Sequence, residues 1–278
     1  MATQTSADTI EFVEVEGAMG LEVQNVDLAD KPSDEVVDLY KEKLAENGVL
    51  VFRNQQISEE QQIAFTRAFG ETTGHPVPGV GGGSVADEYG KDIFYLVNDP
   101  EKENEVTKRD RGDGTLGWHT DLEYMPEPQV YSVLYGVEIP SKGGQTEWCD
   151  LTAAYEGLDE ETKARVQSWQ VVRWYSRRIP QVSHPAVRRH PITGKKNLYV
   201  SPSLCRYIEG MDQVESKEMI LDIVRHATQP KFCYVHTWRE GDVLVWDNRC
   251  TLHRRHGFDV QERRVVRRSQ TVGEPVFV

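Results

Sequence analysis

The downstream half of the chain consists of short β-branched and aromatic runs separated by turn-forming residues, and this pattern limits the folds it can adopt. Pro128 and Pro140 enclose the run Val130–Val137, which predicts a strand. Further strand candidates are residues 169–175, 197–201, 232–238, 242–247 and 264–272. Helical patterns are fewer, at 152–166 and 216–227. The sequence therefore predicts a mainly β fold with flanking helices, a sandwich or a double-stranded barrel.

Two further helices are predicted upstream. Ser33 is placed to cap the first and Gly48 to end it. Ser58 and Gln61 have the spacing of a capping box, which predicts the start of the second. Residues 49–52 form a predicted buried strand between them.

Composition limits the class of protein. A chain of 278 residues is expected to form one domain, 1–278, and its net charge of −13 argues against nucleic-acid or acidic-membrane binding. No apolar run reaches the roughly 20 residues of a membrane span, and the first ten residues do not have the order of a signal peptide. The four cysteines show no CxxC spacing, so we expect reduced thiols in a cytoplasmic protein.

Three separated residues have the types and the order of an open metal site. His119 and Asp121 are two residues apart, so on a strand their side chains would project to the same side of the sheet. His253 follows far downstream and would tie a second strand to the first. Two histidines and one carboxylate leave coordination positions open, which is typical of non-haem Fe(II) oxygenases. The His-x-Asp pair alone is weak, because such pairs also occur on solvated surfaces.

The third ligand has rivals in His236, His256 and Asp247. Residues 232–238 and 243–246 flank the polar turn 239–242, which predicts a β-hairpin with His236 in mid-strand as a packed or rim residue. His253 comes after this hairpin, where the chain would leave a strand and reach a pocket.

Residues 74–117 differ in character from the rest of the chain, since glycines and charges crowd them. Such a stretch beside a site predicts an active-site lid, with a surface loop that has no gating role as the alternative. A phosphate-binding loop is not indicated, because the GxxxxGK[ST] pattern is absent.

Six arginines lie between residues 254 and 268: Arg254, Arg255, Arg263, Arg264, Arg267 and Arg268. They could form a nucleic-acid patch, which the overall charge opposes, or a charged edge strand. Strand parity offers a third interpretation, because Arg264 and Arg268 share one face and could both point into a barrel. Buried guanidinium groups need anionic partners, so an inward pair would imply anionic ligands.

Taken together, the motifs resemble the taurine dioxygenase (TauD/TfdA) family of Fe(II)- and 2-oxoglutarate-dependent dioxygenases. The resemblance covers nearly the whole length of the chain. It is carried by Val49-Leu50-Val51-Phe52-Arg53, Gln62-x-x-Phe65-x-x-x-Phe69-Gly70, Trp118-His119-Thr120-Asp121, Gly143-Gly144-Gln145-Thr146-Glu147-Trp148, Trp246-Asp247-Asn248-Arg249, His253 and Arg263-Arg264-x-x-x-Arg268. It implies a double-stranded β-helix, or jelly-roll, core.

The resemblance also implies roles for single residues. Fe(II) would be held by His119, Asp121 and His253, and 2-oxoglutarate by Thr146, Arg264 and Arg268. The substrate would meet His75, Thr115, Leu122 and Arg268. Thr115 stands where the taurine enzyme has asparagine, and Pro78 where it has tyrosine, which argues against taurine as the substrate.

The implied reaction consumes O₂ and 2-oxoglutarate, releases succinate and CO₂, and oxidises a C–H bond of a small anionic molecule, most often by hydroxylation. Desaturation, cyclisation and C–N or C–S oxidation share the same ligands and stay open. A catalytically inactive jelly-roll binding protein and a metal hydrolase or isomerase on a cupin-like barrel are the alternatives of other classes. Relatives form dimers or larger assemblies, so we expect a homo-oligomer.

Overall fold

The structure is a computed structural model, and it describes residues 7–74, 92–101, 116–177 and 179–278. The predicted substrate contacts His75 and Thr115 lie outside these residues, as does most of the predicted lid at 74–117. Within that range the structure describes a strand, Ile93–Asn98, at the edge of the large sheet.

The described residues form sixteen strands and five α-helices. The strands are β1 (Glu11–Glu14), β2 (Leu21–Gln24), β3 (Val49–Phe52), β4 (Ile93–Asn98), β5 (Leu116–His119), β6 (Tyr131–Glu138), β7 (Thr146–Asp150), β8 (Gln170–Arg173), β9 (Val182–Pro185), β10 (Val187–Arg189), β11 (Lys196–Leu198), β12 (Cys205–Ile208), β13 (Cys233–His236), β14 (Val243–Asp247), β15 (Thr251–Arg255) and β16 (Arg264–Gln270). The helices are α1 (Asp34–Asn47), α2 (Glu59–Phe69), α3 (Leu151–Glu156), α4 (Glu160–Gln167) and α5 (Gln213–Ala227).

Two sheets face each other and enclose the site. The large sheet has the order β1-β2-β3-β14-β6-β16-β4, and the smaller has the order β13-β7-β15-β5. Side chains of both sheets, among them Trp148, Trp246, Leu244 and Val266, form one buried cluster between them. Crossovers between the sheets give the predicted jelly-roll core, and the mainly β prediction is confirmed.

Helices cover the outer faces of both sheets. Helices α1 and α2 begin at Ser33 and Ser58, whose hydroxyls accept backbone N–H groups, and the capping box with Gln61 is formed as predicted. Their apolar faces pack against the large sheet. Helices α3 and α5 pack with β8–β12 on the smaller sheet.

One predicted helix is in fact two. The pattern at 152–166 predicted a single element, but the chain leaves α3 at Gly157 and starts α4 after Asp159. The Asp159 carboxylate accepts the backbone N–H of Thr162, which caps the new helix and satisfies a donor that a continuous helix would have paired internally.

The predicted hairpin at 232–246 was wrong. Strand β13 pairs with β7 in the smaller sheet, whereas β14 pairs with β3 and β6 in the large one. The turn at 239–242 therefore carries the chain from one sheet to the other. A short-range pattern predicts strands and turns but not which strands pair, because the partners of β13 and β14 are distant in sequence.

The expectation of reduced thiols was wrong for two of the four cysteines. Cys149 and Cys233 are direct cross-strand partners on β7 and β13 and form a disulfide, with Cα atoms 4.2 Å apart. Cys205 and Cys250 are free and buried. The bonded pair is 84 residues apart in sequence, so no spacing motif could indicate it. No helix within the described ranges is both long and apolar enough to span a membrane.

Candidate metal centre and active site

Three predicted ligands meet between the sheets. His119 ends β5 and is the cross-strand partner of His253 on β15. Oδ1 of Asp121 lies 3.8 Å from Nε2 of each histidine, and the candidate ligand atoms all lie within 4.8 Å of one another. Two local predictions were wrong. Asp121 was expected on the strand but follows it in a turn, and His253 was expected after a strand but lies within β15. The turn still directs Asp121 to the same side as His119.

The protonation states suit a divalent cation. Burial, and then the neighbouring His119, lower the pKa of His253 well below its ordinary value, so its imidazole is the neutral, ligating form. Burial alone would raise the pKa of Asp121. Arg268 and the two histidines act in the opposite direction and hold that pKa below its usual range. Neutral imidazoles and an ionised carboxylate are the donors that transition metals take in oxygenase sites.

The site is buried on two sides and open on the third. Asp121 and His253 are buried, while the side chain of His119 retains 19% exposure. Nδ1 of His119 lies 2.8 Å from the Gly117 carbonyl, which can accept its proton and leave Nε2 as the acceptor. The ring of Trp246 packs 5.0 Å from that of His253.

Two polar residues that the sequence did not indicate as functional hold Asp121 in place. Ser132 on β6 donates its hydroxyl to Oδ2 of Asp121 at 2.8 Å. The Asn248 amide oxygen accepts the Asp121 backbone N–H at 3.2 Å, and its nitrogen donates to Ser132 Oγ at 3.0 Å. Asn248 itself lies in the turn between β14 and β15. Its support of Asp121, 127 residues away in sequence, depends on sheet pairing.

Arg268 points into the same space. Its Nη2 lies 2.7 Å from Oδ2 of Asp121, and its guanidinium lies 5.9 Å from the Trp246 ring centroid. Val266 of the same face belongs to the cluster between the sheets, while Arg267 of the opposite face is buried and donates to the Ile57 carbonyl. The predicted strand parity is confirmed at these positions.

Arg264 is buried beside the glycine pair of the Gly143-Gly144-x-Thr146 motif. A Cβ on Gly144 would lie 3.6 Å from its Nε, and its guanidinium lies 5.7 Å from the Phe258 ring centroid. Both glycines have positive φ, 80° and 69°, which favours glycine at this turn. Thr146 is buried, and its hydroxyl accepts the indole N–H of Trp238 at 2.9 Å. The structure thus brings the motif and Arg264 together, as the resemblance implies.

Leu122, the predicted substrate contact, directly follows Asp121 and has φ of 52°. A branched side chain in this left-handed conformation is strained, and such strain is common at functional sites. Two residues further on, Tyr124 stacks on Tyr175 with centroids 4.7 Å apart. Tyr175 is 39% exposed, so this aromatic pair reaches the surface beside the turn.

The rival ligands have other partners. His236 is fully buried and lies between the Tyr234 hydroxyl and the Asp242 carboxylate, as a packed histidine. His256 contacts Glu147 at 2.7 Å. Asp247 is held by Arg249 and His190. Trp118 and Trp246 are buried and belong to the apolar clusters of the core.

A second group, His190, Asp247 and Cys250, is also close enough to suggest a metal. Nδ1 of His190 accepts the backbone N–H groups of Ile192 and Thr193, so Nε2 carries the proton and donates to Asp247 at 3.1 Å. Because that nitrogen is a donor, the group is a buried hydrogen-bond network rather than a ligand set.

Comparison with known proteins agrees with this geometry. The family profile described as "Taurine catabolism dioxygenase TauD, TfdA family" matches residues 11–270. The alpha-ketoglutarate-dependent 2,4-dichlorophenoxyacetate dioxygenase of Burkholderia sp. (strain RASC) is 33% identical over 277 residues, covering 91% of each chain. A crystal structure of a taurine dioxygenase from Burkholderia xenovorans superposes with a TM-score of 0.83 at 32% identity, covering 96% of this chain and 90% of that one.

A third similar protein was solved with ligands. The crystal structure of AAD-2 in complex with Mn(II) and N-oxalylglycine has a TM-score of 0.79 at 27% identity, covering 97% of this chain and all of that one. The profile match, the sequence identity and the shared fold extend over the same length as the jelly-roll core and its site. The chain therefore belongs to the TauD/TfdA family of alpha-ketoglutarate-dependent dioxygenases.

Proposed function

We propose that this dioxygenase uses Fe(II) held by His119, Asp121 and His253 to hydroxylate a C–H bond of a small anionic organic substrate. One observation carries the proposal: three ligating atoms within 4.8 Å of one another lie between two sheets, with the His119 side open. One oxygen atom of O₂ would enter the substrate and the other would enter succinate, while 2-oxoglutarate loses CO₂. The bound iron would supply the oxidising centre at which these bonds change.

The chain's own residues would orient the cosubstrate. Arg264 offers a buried guanidinium that can hold a carboxylate with two parallel hydrogen bonds. Thr146 offers a hydroxyl on the strand that follows Gly144. Arg268 lies at the ligand carboxylate itself, so it is placed for an anionic group close to the metal. Arg268 would bind this group with the part of its guanidinium that does not contact Asp121.

The substrate would enter on the open side, past the turn that carries Leu122. The stacked Tyr124 and Tyr175 offer an apolar wall beside that turn. An aryloxy carboxylate suits this arrangement, with its charge at Arg268 and its ring against the tyrosines, and the Burkholderia relative is named for such a substrate. His75, Thr115 and a lid within 74–117 remain predicted parts of the substrate pocket, and a homo-oligomer remains a predicted assembly.

The proposal is tested by anaerobic titration of the Fe(II)-loaded protein with 2-oxoglutarate, followed by the visible charge-transfer band of the chelate. We expect the band in the wild type, its loss in Asp121→Ala and its retention in Asp222→Ala, an exposed acid on α5. Phenoxyacetates, sulfonates and sulfate esters are then screened for a shift of the band and for O₂-dependent succinate release. An iron-loaded wild type that shows no band would refute the proposal.

A further inference from the structure

The turn that presents Asp121 is held from behind by a buried acid. Glu123 is fully buried; its Oε1 accepts the Thr120 backbone N–H at 3.4 Å and its Oε2 accepts Nε of Arg173 at 3.2 Å. Leu122, in its left-handed conformation, lies between Thr120 and Glu123 in the chain. Because that conformation is disfavoured for leucine, external contacts must maintain it. Glu123 supplies such contacts on both sides of the Asp121–Leu122 segment.

Arg173 connects this acid to a second buried arginine through one aromatic ring. Its side chain is completely buried, and its Nη2 donates to the Tyr199 carbonyl. The guanidinium carbon of Arg173 lies 4.0 Å from the Tyr199 ring centroid, and that of Arg188 lies 3.8 Å from the same centroid. Two cations therefore share one π system, at distances where the interaction is attractive.

Arg188 in turn reaches the other support of the ligand. Its Nη2 donates to the Asn248 carbonyl. The side-chain oxygen of Asn248 accepts the Asp121 backbone N–H at 3.2 Å. Asp121 is thus held from two directions, by Glu123 through the turn and by Asn248 through its own amide, and Arg173, Tyr199 and Arg188 link the two.

Stability alone does not explain this network, because burying its charged groups costs free energy. Burying two guanidinium groups and a carboxylate costs more than filling the same volume with apolar side chains. What such a network supplies is fixed directions and distances, because an arginine fork and a carboxylate bond in few geometries. The element it fixes is the one metal ligand that lies outside a strand.

We propose that Arg173 is a positioning residue for the metal centre, acting through Glu123 on the Asp121 turn and through Tyr199 and Arg188 on Asn248. This inference rests on the proposed function, since it assigns the network to metal geometry. Arg173 touches neither the metal nor the substrate in this role. Its removal should loosen the carboxylate ligand and weaken metal binding before any cosubstrate is present.

The test is Mn(II) affinity of the full-length apoprotein, measured by electron paramagnetic resonance of the free ion without 2-oxoglutarate. We expect Arg173→Lys and Glu123→Gln to bind Mn(II) roughly 10- to 100-fold more weakly than the wild type, the usual effect of losing groups that orient ligands. The control is Ile220→Ala, a fully buried residue of α5, which should lower the melting temperature and leave Mn(II) affinity unchanged. An Mn(II) affinity equal to that of the wild type in both Arg173→Lys and Glu123→Gln, measured below their melting temperatures, would overturn the proposal.

A second pair of variants keeps the test decisive if Arg173→Lys does not fold. Tyr199→Phe retains the ring and removes a hydroxyl that has no hydrogen-bond partner within the described residues, so Mn(II) affinity should stay the same. Tyr199→Leu removes the ring that links the guanidinium groups, and the affinity should fall. Equal affinities in these two variants would contradict the proposal.

Failure of the proposed function is recognised separately. A wild type that binds Mn(II) but gives no keto-acid band with Fe(II) would refute the oxygenase chemistry and leave the Mn(II) affinity ratios meaningful. A wild type that binds no Mn(II) would refute both.

Discussion

Nη2 of Arg268 lies 2.7 Å from Oδ2 of Asp121, while Oδ1 of the same carboxylate faces both metal-site histidines at 3.8 Å. A cation bound at Oδ1 would therefore lie close to a guanidinium held at Oδ2. Like charges at such a separation repel, and the repulsion is strong where water is excluded. Arg268 thus neutralises the buried Asp121 carboxylate and would oppose the binding of a cation at Oδ1.

Arg268→Met should leave Mn(II) affinity at least as high as in the wild type, up to about tenfold higher. Loss of the ion pair should lower the stability of the apoprotein by about 3 kcal/mol, because the Asp121 carboxylate stays buried. Spin-resonance titration and urea unfolding measure the two effects. The matched control is Arg267→Met, which removes a buried arginine of the opposite face that bonds the Ile57 carbonyl. Tenfold weaker Mn(II) binding in Arg268→Met alone would show instead that Arg268 orients Asp121.

Ser132→Ala should weaken Mn(II) binding roughly tenfold, since the hydroxyl donates to Oδ2 of Asp121 and accepts from Asn248. Stability should fall by about 1 kcal/mol for the lost hydrogen bonds. Ser269→Ala is the control, because this buried hydroxyl bonds Gln62 and Thr66 instead. Isothermal titration of both variants with Mn(II) checks the difference. Equal affinities would show that Ser132 has only a structural role.

The sequence indicated the three candidate metal ligands but not the residues that support them, and the reason is physical. Histidine and aspartate are common metal ligands in any fold, so the sequence alone suggests His119, Asp121 and His253. Ser132 and Asn248 become functional only when β6 and the turn after β14 meet the Asp121 turn. Serine and asparagine are common in loops and strands for other reasons, so nothing in their local pattern indicates this role.

The same distinction holds for the fold. Caps at Ser33 and Ser58 are local, and the prediction of both helix starts is confirmed. The prediction that β13 and β14 form a hairpin was wrong, because each of these strands pairs with partners that are distant in sequence. The Cys149–Cys233 disulfide was missed for the same reason. Pairings over long sequence separations follow from the packing of two sheets, which a single sequence does not display.

Arg264→Lys should raise the KM for 2-oxoglutarate about 10- to 100-fold, since lysine cannot form two parallel hydrogen bonds to a carboxylate. The turnover rate at saturating cosubstrate should change little. Arg263→Lys is the control, because the neighbouring arginine is half exposed and pairs with Glu138 at 2.9 Å. Succinate release as a function of 2-oxoglutarate concentration measures both. An unchanged KM in Arg264→Lys would refute its assignment to the cosubstrate.

Reduction of the Cys149–Cys233 disulfide should lower stability by about 4 kcal/mol, because the bond closes a loop of 84 residues in the unfolded chain. Peptide mapping without reductant should find this cross-link, with Cys205 and Cys250 alkylated only after unfolding. Cys250→Ala supplies the control, since its melting temperature should respond to reductant as the wild type does. A melting temperature that is insensitive to reductant would contradict the bond.

Stability should fall on the acid side of neutrality because of His184. Burial, and then Arg173, lower the pKa of His184 to about 4, and its Nε2 donates to the Met125 carbonyl at 2.8 Å as the neutral tautomer. In the unfolded chain the pKa is the ordinary 6.5. As pH falls, the unfolded state therefore binds the proton before the folded state does. The contribution of His184 to the free energy of unfolding is complete well above pH 6.5 and is lost progressively towards pH 4. Between pH 7.5 and 5 the loss should be about 2 kcal/mol.

Urea unfolding of the metal-free protein across this pH range, beside His184→Gln, isolates the effect. Glutamine keeps a donor for the Met125 carbonyl but does not titrate, so the variant should lose about 2 kcal/mol less than the wild type between pH 7.5 and 5. His119 and His253 contribute equally to both proteins and cancel in the difference. Parallel pH profiles would mean that the pKa of His184 is the same in the folded and the unfolded protein, which would contradict the prediction.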